Sequence, residues 1–338
     1  SFVPRANLPV YRRQLFRAPV AGEGAPTGHD GGDTLFEDDD VRLWTLAERG
    51  VDDVVIVSIK SKMHTIGPGL ISGLGKAIDM AEDSYKGLVI WSADEPFSAG
   101  ADLQSMMPVF MSGGSKAIGP VVKELQDALL RMRYAQVPTI AAVSGLALGG
   151  GCELAFYCAR RVANIESYIG LVEVGVGLIP AGGGLARGAR RAAEEHRAAK
   201  DAPLLHFLSK YFMAAGMATV SKSALEAQAM GYLLESDRIV FNSYELLYAA
   251  IREAKAMSDA GYRPPRKSLF PVAGRNATAT IMAQLVNMRD GAFISEHDFH
   301  LGKTIANVMC GGDVDEGAMV DEEWIMRLER EGFVSLLD

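Results

Sequence analysis

This sequence has few cysteines, no excess of basic residues and no long apolar run. The 338 residues include three cysteines, too few for a disulfide framework. Acidic residues outnumber basic ones by 42 to 34, a net charge of −8, which excludes the broadly basic surface that nucleic-acid phosphates need. No apolar run reaches the roughly 18 residues of a membrane helix. We therefore predict a cytoplasmic protein with no membrane span and no nucleic-acid partner, while a local basic pocket for an anionic ligand remains compatible with this composition.

The N-terminal region lacks the apolar core of a signal peptide. Residues 1–20 carry four arginines and no acid, whereas 21–40 carry seven acids, five glycines and no Lys or Arg. The second stretch holds too little apolar surface to offset the entropy of ordering it. We therefore predict that 1–40 is a linker or N-terminal extension. Since the chain begins at Ser1, we also expect it to be one part of a longer protein.

From residue 41 onwards, short apolar runs alternate with helical patterns. The apolar runs lie at 54–59, 88–91, 139–143 and 161–165, and the helical segments between them at 69–83, 116–134 and 152–160. Unalternated apolar runs separated by helices are typical of a parallel sheet buried on both faces. After residue 205 the pattern is mostly helical, with helix starts predicted at Ser295 and Asp321. The sequence thus predicts an α/β core over 41–260 and a helical C-terminal extension over 261–338.

Three consecutive glycines, Gly149 to Gly151, stand between a predicted strand and a predicted helix. They forfeit backbone entropy, but they expose N–H groups at the positive end of a helix dipole. Such a place suits a phosphate or a developing oxyanion; a tight strand-to-helix turn is the structural alternative. A second turn of small residues, 97–103, follows the strand at 88–91. Two such turns after neighbouring strands can direct two N–H donors at one carbonyl oxygen.

Two glutamates stand in apolar, glycine-rich surroundings. Glu173 lies within 168–184, and Glu153 lies just inside the helix that follows the three glycines. A carboxylate there is costly unless it is partnered, exposed in a cleft or protonated. Two carboxylates in such surroundings can divide acid and base roles. For Glu153 alone, stabilisation by the helix dipole is the alternative.

In their order along the chain, these motifs resemble those of the crotonase (enoyl-CoA hydratase/isomerase) superfamily. FSAGAD at 97–102 is similar to that family's first oxyanion motif, and SGLALGGGCE at 144–153 to its second motif with the first catalytic glutamate. GLVEVGVGLIPAGGG at 170–184 is similar to the motif with the second glutamate, 20 residues further on, as in hydratases. The resemblance covers about 41–260. It implies a crotonase-like ββα superhelix, or spiral, as the α/β core.

The C-terminal part resembles the carboxyl half of bacterial fused 3-hydroxyacyl-CoA dehydrogenase/enoyl-CoA hydratases. The resemblance rests on the arginine-bearing start of the chain, the RPP break at 263–265 and the segments at 293–312 and 320–337. In those proteins an NAD-dependent dehydrogenase part comes first. The resemblance therefore implies a dehydrogenase domain of the same parent chain as partner, and NAD for that part alone.

Residue by residue, the resemblance implies an oxyanion hole made by the N–H groups of Ala101 and Gly150. Glu153 would take a proton from water as hydroxide adds to C3 of 2-trans-enoyl-CoA, and Glu173 would deliver a proton to C2. Having both glutamates favours hydration over isomerisation. Further substrate or CoA contacts are implied for Met63, His64, Ala99, Asp102, Leu103 and Gly149. No cofactor and no metal is expected for hydration, and a homo-oligomer is a possible assembly.

Two readings compete with a hydratase. One is double-bond isomerisation of an enoyl-CoA, and the other is a non-catalytic acyl-CoA-binding or docking domain. The sequence also departs from the family at 60–67, where the usual Arg/Lys-Pro and Asn-Ala-Leu pattern is absent, and at 185–220, which is longer than in simple members. We expect the second departure to be a helical insert on the surface.

Overall fold

The computed structural model of this chain describes residues 13–16, 28–29, 31–47, 50–199 and 202–337. Much of the predicted linker over 1–40 lies outside the described residues. Its described end corrects the prediction, because Asp33–Glu37 forms a strand, β1, that pairs antiparallel with the next strand. Arg42 holds this edge by donating to Thr34 Oγ1 and to the carbonyl oxygens of His29 and Gly31. Backbone pairing and one buried guanidinium order the segment, so its acidic composition was a poor guide.

Among the described residues, the main sheet has seven strands in the order of the chain. After β1 they are β2 (Val41–Leu46), β3 (Val51–Ile59), β4 (Leu88–Ile90), β5 (Thr139–Leu148), β6 (Arg160–Gly170) and β7 (Arg238–Val240). The first two pairings are antiparallel, and the four from β3 to β7 are parallel. The predicted strands and their parallel arrangement are confirmed. A separate two-stranded ribbon joins β8 (Phe270–Pro271) to β9 (Met319–Val320).

Helices connect the parallel strands and build the C-terminal region. They are α1 (Pro68–Ser84), α2 (Leu103–Arg133), α3 (Gly150–Tyr157), α4 (Gly184–Ala199), α5 (Leu204–Gly216), α6 (Ala224–Ala229), α7 (Leu246–Asp259), α8 (Gly274–Asp290), α9 (Glu296–Met309) and α10 (Glu322–Ser335). Within the described chain, no helix is both long and apolar enough to cross a membrane.

Both faces of the sheet are buried, as the unalternated apolar runs predicted. On β3, Val55 and Val57 belong to the hydrophobic cluster that includes α1 to α4, whereas Val54 and Ile56 face the cluster that includes α7. Alternate side chains of residues 54–57 therefore pack into two apolar layers, and each of these four positions favours a hydrophobic residue.

Two helix predictions needed correction. Helix α2 was expected over 116–134 but begins at Leu103, where the Asp102 side chain caps it, and it continues through a kink at Gly114 whose φ is +65°. Glycine tolerates this positive φ, so one continuous element absorbs the break. Helix α4 was expected on the surface, yet its first half is buried, with Arg187 only 3% exposed.

The C-terminal helices α8 to α10 pack onto the α/β core. One hydrophobic cluster extends from Val41 in β2 to Phe333 in α10. The predicted caps are confirmed, since Ser295 and Asp298 form a capping box at α9 and Asp321 accepts from Trp324 N at α10. The proposed boundary at 260 stays a prediction about domains, but in packing the two regions share one interior.

Candidate active site

Three loops that follow β4, β5 and β6 lie side by side. Parallel strands end at the same edge of a sheet, which brings the segments after them together. Ser98 N donates to Leu146 O and Leu148 N donates to Ser98 O, both at 3.0 Å. Gly149 N donates to Gly170 O at 2.9 Å. The three motifs singled out in the sequence therefore form one hydrogen-bonded row.

Two backbone N–H groups, of Ala101 and Gly150, lie next to each other in this row. Ile66 N donates to Gly100 O and Asp102 N donates to Ile66 O, so the N–H of Ala101 points away from Ile66. Gly150 is the first residue of α3, where an N–H has no acceptor inside the helix. A Cβ on Gly150 would lie 3.2 Å from Ala101 N. The pair is placed to bind one oxygen atom.

Glu153 lies one turn into α3 and is 2% exposed. Its Oε1 accepts hydrogen bonds from Gly182 N at 2.9 Å and Gly184 N at 2.8 Å. A Cβ on Gly182 would collide with the carboxyl group, so glycine is needed for this close approach. Burial raises the pKa of Glu153, and the two hydrogen bonds oppose that rise because they stabilise the charged form.

Glu173 opens a 3₁₀ turn, Glu173–Val176, across the row from Glu153. A Cβ on Gly149 would lie 3.0 Å from its Oε1, while its Oε2 is buried without a hydrogen-bond partner in the described residues. Burial raises the pKa of Glu173, and the negative charge of Glu153 raises it further. Backbone hydrogen bonds from Glu173 and Val172 oppose this rise, as those from Gly182 and Gly184 do for Glu153. The charge of Glu153 is the added cause at Glu173, so Glu173 keeps its proton to higher pH than Glu153.

A cavity of about 200 Å³ joins all these groups. Its walls include the Ala101 and Gly150 backbone and both glutamates. The rest of the wall is largely apolar, including Met106, Val121, Leu125, Val176, Leu178 and Phe333. An apolar cleft with a few convergent polar groups is the usual form of a small-molecule site.

Comparison with known proteins assigns this arrangement to a family. Residues 52–229, more than half of the chain, match the family model described as "Enoyl-CoA hydratase/isomerase". The chain belongs to the enoyl-CoA hydratase/isomerase family. The crotonase superfamily suggested by the three sequence motifs is thereby confirmed.

The curated proteins that are similar to this chain are named for different activities. The chain is 37% identical over 289 residues to "Probable 3-hydroxyacyl-CoA dehydrogenase" of Bacillus subtilis (strain 168), a match that covers 84% of this chain and 36% of that protein. It is 35% identical over 173 residues to human "Methylglutaconyl-CoA hydratase, mitochondrial", covering half of each protein. The chain spans 36%, 20% and 16% of the lengths of three relatives, two of them named as multifunctional enzymes.

Solved structures confirm the crotonase fold. An enoyl-CoA hydratase from Bacillus halodurans matches with a TM-score of 0.54 at 17% identity, over 88% of this chain and 95% of that structure. The Pseudomonas aeruginosa protein DspI matches with a TM-score of 0.52 at 23% identity, over 77% and 86%. At these identities the likeness shows the fold alone.

Four of the six further contacts that the family resemblance implied line the cavity: Ala99, Asp102, Leu103 and Gly149. Asp102 has a second task, since its Oδ1 accepts from the backbone N–H groups of Gln104 and Ser105 at the start of α2. Its carboxylate is therefore partly committed to the helix cap.

The other two, Met63 and His64, lie outside the cavity wall, in the 3₁₀ turn Lys62–His64. Both have positive φ, near 56° and 51°. Their carbonyl oxygens accept from Ala99 N and Ser98 Oγ, so their backbone supports the first oxyanion turn. This support is a structural task distinct from the CoA contact that the family implies for them.

Sequence reasoning missed Glu329, a buried carboxyl group whose charge interacts with that of Glu153. It lies on α10, is 0% exposed, and accepts from Ala186 N at 2.8 Å through Oε1. Burial raises its pKa well above the ordinary value, and the charge of Glu153 adds to this. The signal was present in the sequence, because Glu329 shares the apolar helical face of Ile325, Met326 and Phe333.

Proposed function

We propose that this chain adds water across the double bond of 2-trans-enoyl-CoA to give 3-hydroxyacyl-CoA. The observation that carries the proposal is the meeting of two buried carboxyl groups and two adjacent N–H donors in one apolar cavity. A double-bond shift moves one proton and needs one acid-base group at a time, whereas hydration needs a water proton removed and a C2 proton supplied. Two carboxyl groups, one ionised to accept a proton and one protonated to donate it, fit the second reaction better.

In the proposed reaction, Glu153 as carboxylate removes a proton from the water that it holds with Glu173. The hydroxide oxygen bonds to C3, and the π electrons move onto the thioester oxygen to form an enolate. The N–H groups of Ala101 and Gly150 stabilise that oxygen. Glu173 donates its proton to C2 as the enolate collapses, which leaves one water added in total. Proton exchange with solvent then returns each glutamate to its starting state.

We further propose that this step serves fatty acid β-oxidation, beside a 3-hydroxyacyl-CoA dehydrogenase part of the same parent protein. The names of the relatives support this, since they include a 3-hydroxyacyl-CoA dehydrogenase and a fatty acid oxidation complex enzyme. NAD would belong to that part, and hydration as written consumes no cofactor. The three cysteines are free and buried, which fits a reducing compartment, and we propose the cytoplasm.

The test follows loss of the conjugated enoyl-thioester absorbance with crotonyl-CoA. Glu153→Gln and Glu173→Gln should each lower kcat by about 10²- to 10⁴-fold, because each removes one proton-transfer group. The matched control is Glu124→Gln, since Glu124 is an exposed carboxylate on the wall of the same cavity. It should retain nearly the wild-type rate.

Product analysis separates hydration from the two alternatives. A wild-type chain that converts a 3-enoyl-CoA to its 2-isomer but leaves crotonyl-CoA unhydrated is an isomerase. A chain that binds acyl-CoA without converting either substrate is a docking domain. Either result would contradict the proposal, and wild-type rates in both Gln variants would contradict the residue roles.

A further inference from the structure

A second cavity, separate from the catalytic one, is lined by arginine. It has a volume of about 310 Å³ and shares no wall residue with the catalytic cavity. It lies at the C-terminal end of α3, whereas Gly150 and Glu153 lie at the other end. Six guanidinium groups line it, from Arg133, Arg161, Arg187, Arg190, Arg191 and Arg263. In a chain with a net charge of −8, such a concentration of positive charge needs a physical account.

Carboxylates offset part of this charge. Arg133 and Arg190 contact Glu322 at 3.1 and 3.4 Å, and Arg161 contacts Asp237 at 2.7 Å. Arg190 and Arg191 also contact Glu194 or Glu195. Six guanidinium groups against these four carboxylates leave a net charge of +2 around the cavity. The net positive charge of the walls therefore favours the binding of an anion in the cavity.

Arg187 is a buried arginine whose positive charge no carboxylate of the described residues balances. Its side chain donates to the carbonyl oxygens of Gly231 and Tyr232 and stacks on Phe156 at 3.8 Å, and in the described residues it has no ion pair with a carboxylate. It is 3% exposed, and a buried cation without a counter-charge is costly. Burial, together with the positive charges of Arg161 and Arg190, lowers the pKa of Arg187 to about 9.

Two buried donors in the same walls have neither a hydrogen-bond partner nor an ion-pair contact in the described residues. They are Nε of Arg191 and the hydroxyl of Tyr262. Three further guanidinium nitrogens, of Arg133, Arg161 and Arg190, form no aligned hydrogen bond but lie 2.7 to 3.4 Å from carboxylate oxygens, so their charge is already paired. Both unpartnered atoms can donate, and an acceptor-rich anion would satisfy them.

We propose that this cavity binds a phosphate group, as free phosphate or as part of a nucleotide. Guanidinium groups match phosphate oxygens in geometry as well as in charge. The site is independent of the proposed hydratase activity, because no residue of the catalytic cavity lines it. Arg263 and Arg191 are the residues to test: Arg263 is exposed, and Arg191 is only partly buried.

The experiment is calorimetric titration of the whole chain with inorganic phosphate, and separately with ADP, at ionic strength held constant with KCl. We expect one site per chain. Arg263→Gln and Arg191→Gln should each weaken binding about tenfold, the effect of losing one hydrogen bond to a charged group. Arg275→Gln is the matched control, since Arg275 is exposed on α8 and pairs with Asp313 and Asp315 elsewhere. It should bind as wild type does.

A saturating amount of butyryl-CoA, which has no double bond to hydrate, separates the two cavities. The proposal is supported if phosphate still binds in the presence of butyryl-CoA and binds more weakly to both variants. Tighter binding of ADP than of phosphate would identify a nucleotide as the ligand, and the reverse would identify free phosphate. Binding lost on adding butyryl-CoA, binding equal in all variants, or no binding beyond the KCl control would overturn it. Circular dichroism of each variant verifies folding, and the hydratase assay is read separately.

Discussion

At the residue scale, the protonation of Glu153 and Glu173 depends on burial, on backbone hydrogen bonds and on the charge between the two carboxyl groups. Glu153 accepts hydrogen bonds from Gly182 and Gly184, and backbone hydrogen bonds likewise lower the pKa of Glu173. Both pKa values are raised by burial, and that of Glu173 is raised further by the charge of Glu153. The added effect of that charge means that Glu173 holds a proton more firmly than Glu153 does.

The effect of the Glu153 charge on Glu173 predicts that the pKa of Glu173 changes when Glu153 is replaced. In Glu153→Gln the neighbouring negative charge is gone, so the pKa of Glu173 should fall, although burial keeps it above the ordinary value of 4.5. Infrared difference spectra over pH should show the protonated carboxyl band disappearing at lower pH than in wild type. A band that moves to higher pH would show that the two charges do not interact as described.

A second prediction at this scale concerns the adjacent N–H groups. Gly150→Ala places a methyl group 3.2 Å from Ala101 N, in the space where the thioester oxygen is proposed to lie. We expect kcat to fall by about 10²- to 10³-fold, the usual cost of losing an oxyanion donor. Gly75→Ala on α1 is the control, since its Cβ would meet nothing within 4 Å. Equal kcat in both variants would contradict the proposed oxyanion hole.

At the scale of elements, α10 connects the C-terminal region to the catalytic groups. Glu329 on α10 and Glu153 on α3 hold the start of α4 together, through Ala186 and through Gly182 and Gly184. The sequence predicted both α10 and the helix-like 185–220. It did not predict their contact, because a helical pattern defines an apolar face but not the partner of that face.

The raised pKa of Glu329 predicts how stability varies with pH. The folded protein keeps a proton that the unfolded chain releases above its ordinary pKa of 4.5, so this group lowers stability as pH rises from 4.5 towards the folded pKa. Glu329→Gln keeps an oxygen for Ala186 N and removes that loss. We expect its Tm to exceed wild type by about 2 °C or more at pH 8, with a smaller gap at pH 5.

The control for this prediction is Glu331→Gln on the same helix. Glu331 is exposed and pairs with Arg327 at 3.0 Å, and an exposed pair contributes little to stability. Its Tm should follow wild type at both pH values. Calorimetric scans that show the same gap at pH 5 and pH 8 for Glu329→Gln would mean that Glu329 is not the group that titrates.

At the scale of the whole molecule, prediction from sequence succeeded where the signal is local in the chain. The glycine-rich turns, both glutamates, the caps at Ser295 and Asp321 and the doubly buried strands are all encoded within short segments. It failed at strand Asp33–Glu37, because pairing with β2 and the hydrogen bond from Arg42 of β2 order a segment whose acidic composition indicated a linker. It also missed the buried position of α4, because burial there depends on packing against α5 and α10 rather than on composition.

The packing of the whole molecule also predicts that the C-terminal helices cannot be removed. Phe333 of α10 lines the catalytic cavity, and one apolar cluster joins α8 to α10 to the core. A chain ending at residue 260 exposes that cluster to water, so it should lose cooperative thermal unfolding and hydratase activity together. Retained cooperative unfolding in the shortened chain would show that the core folds without these helices.

The fate of solvent oxygen tests the proposed hydration most directly. Crotonyl-CoA is incubated with the whole chain in water labelled with ¹⁸O, and the product is analysed by mass spectrometry. We expect 3-hydroxybutyryl-CoA with one ¹⁸O on C3, and both Glu153→Gln and Glu173→Gln should lower its rate of formation by about 10²- to 10⁴-fold. Crotonyl-CoA recovered unchanged and without ¹⁸O at C3 would contradict the proposed hydration.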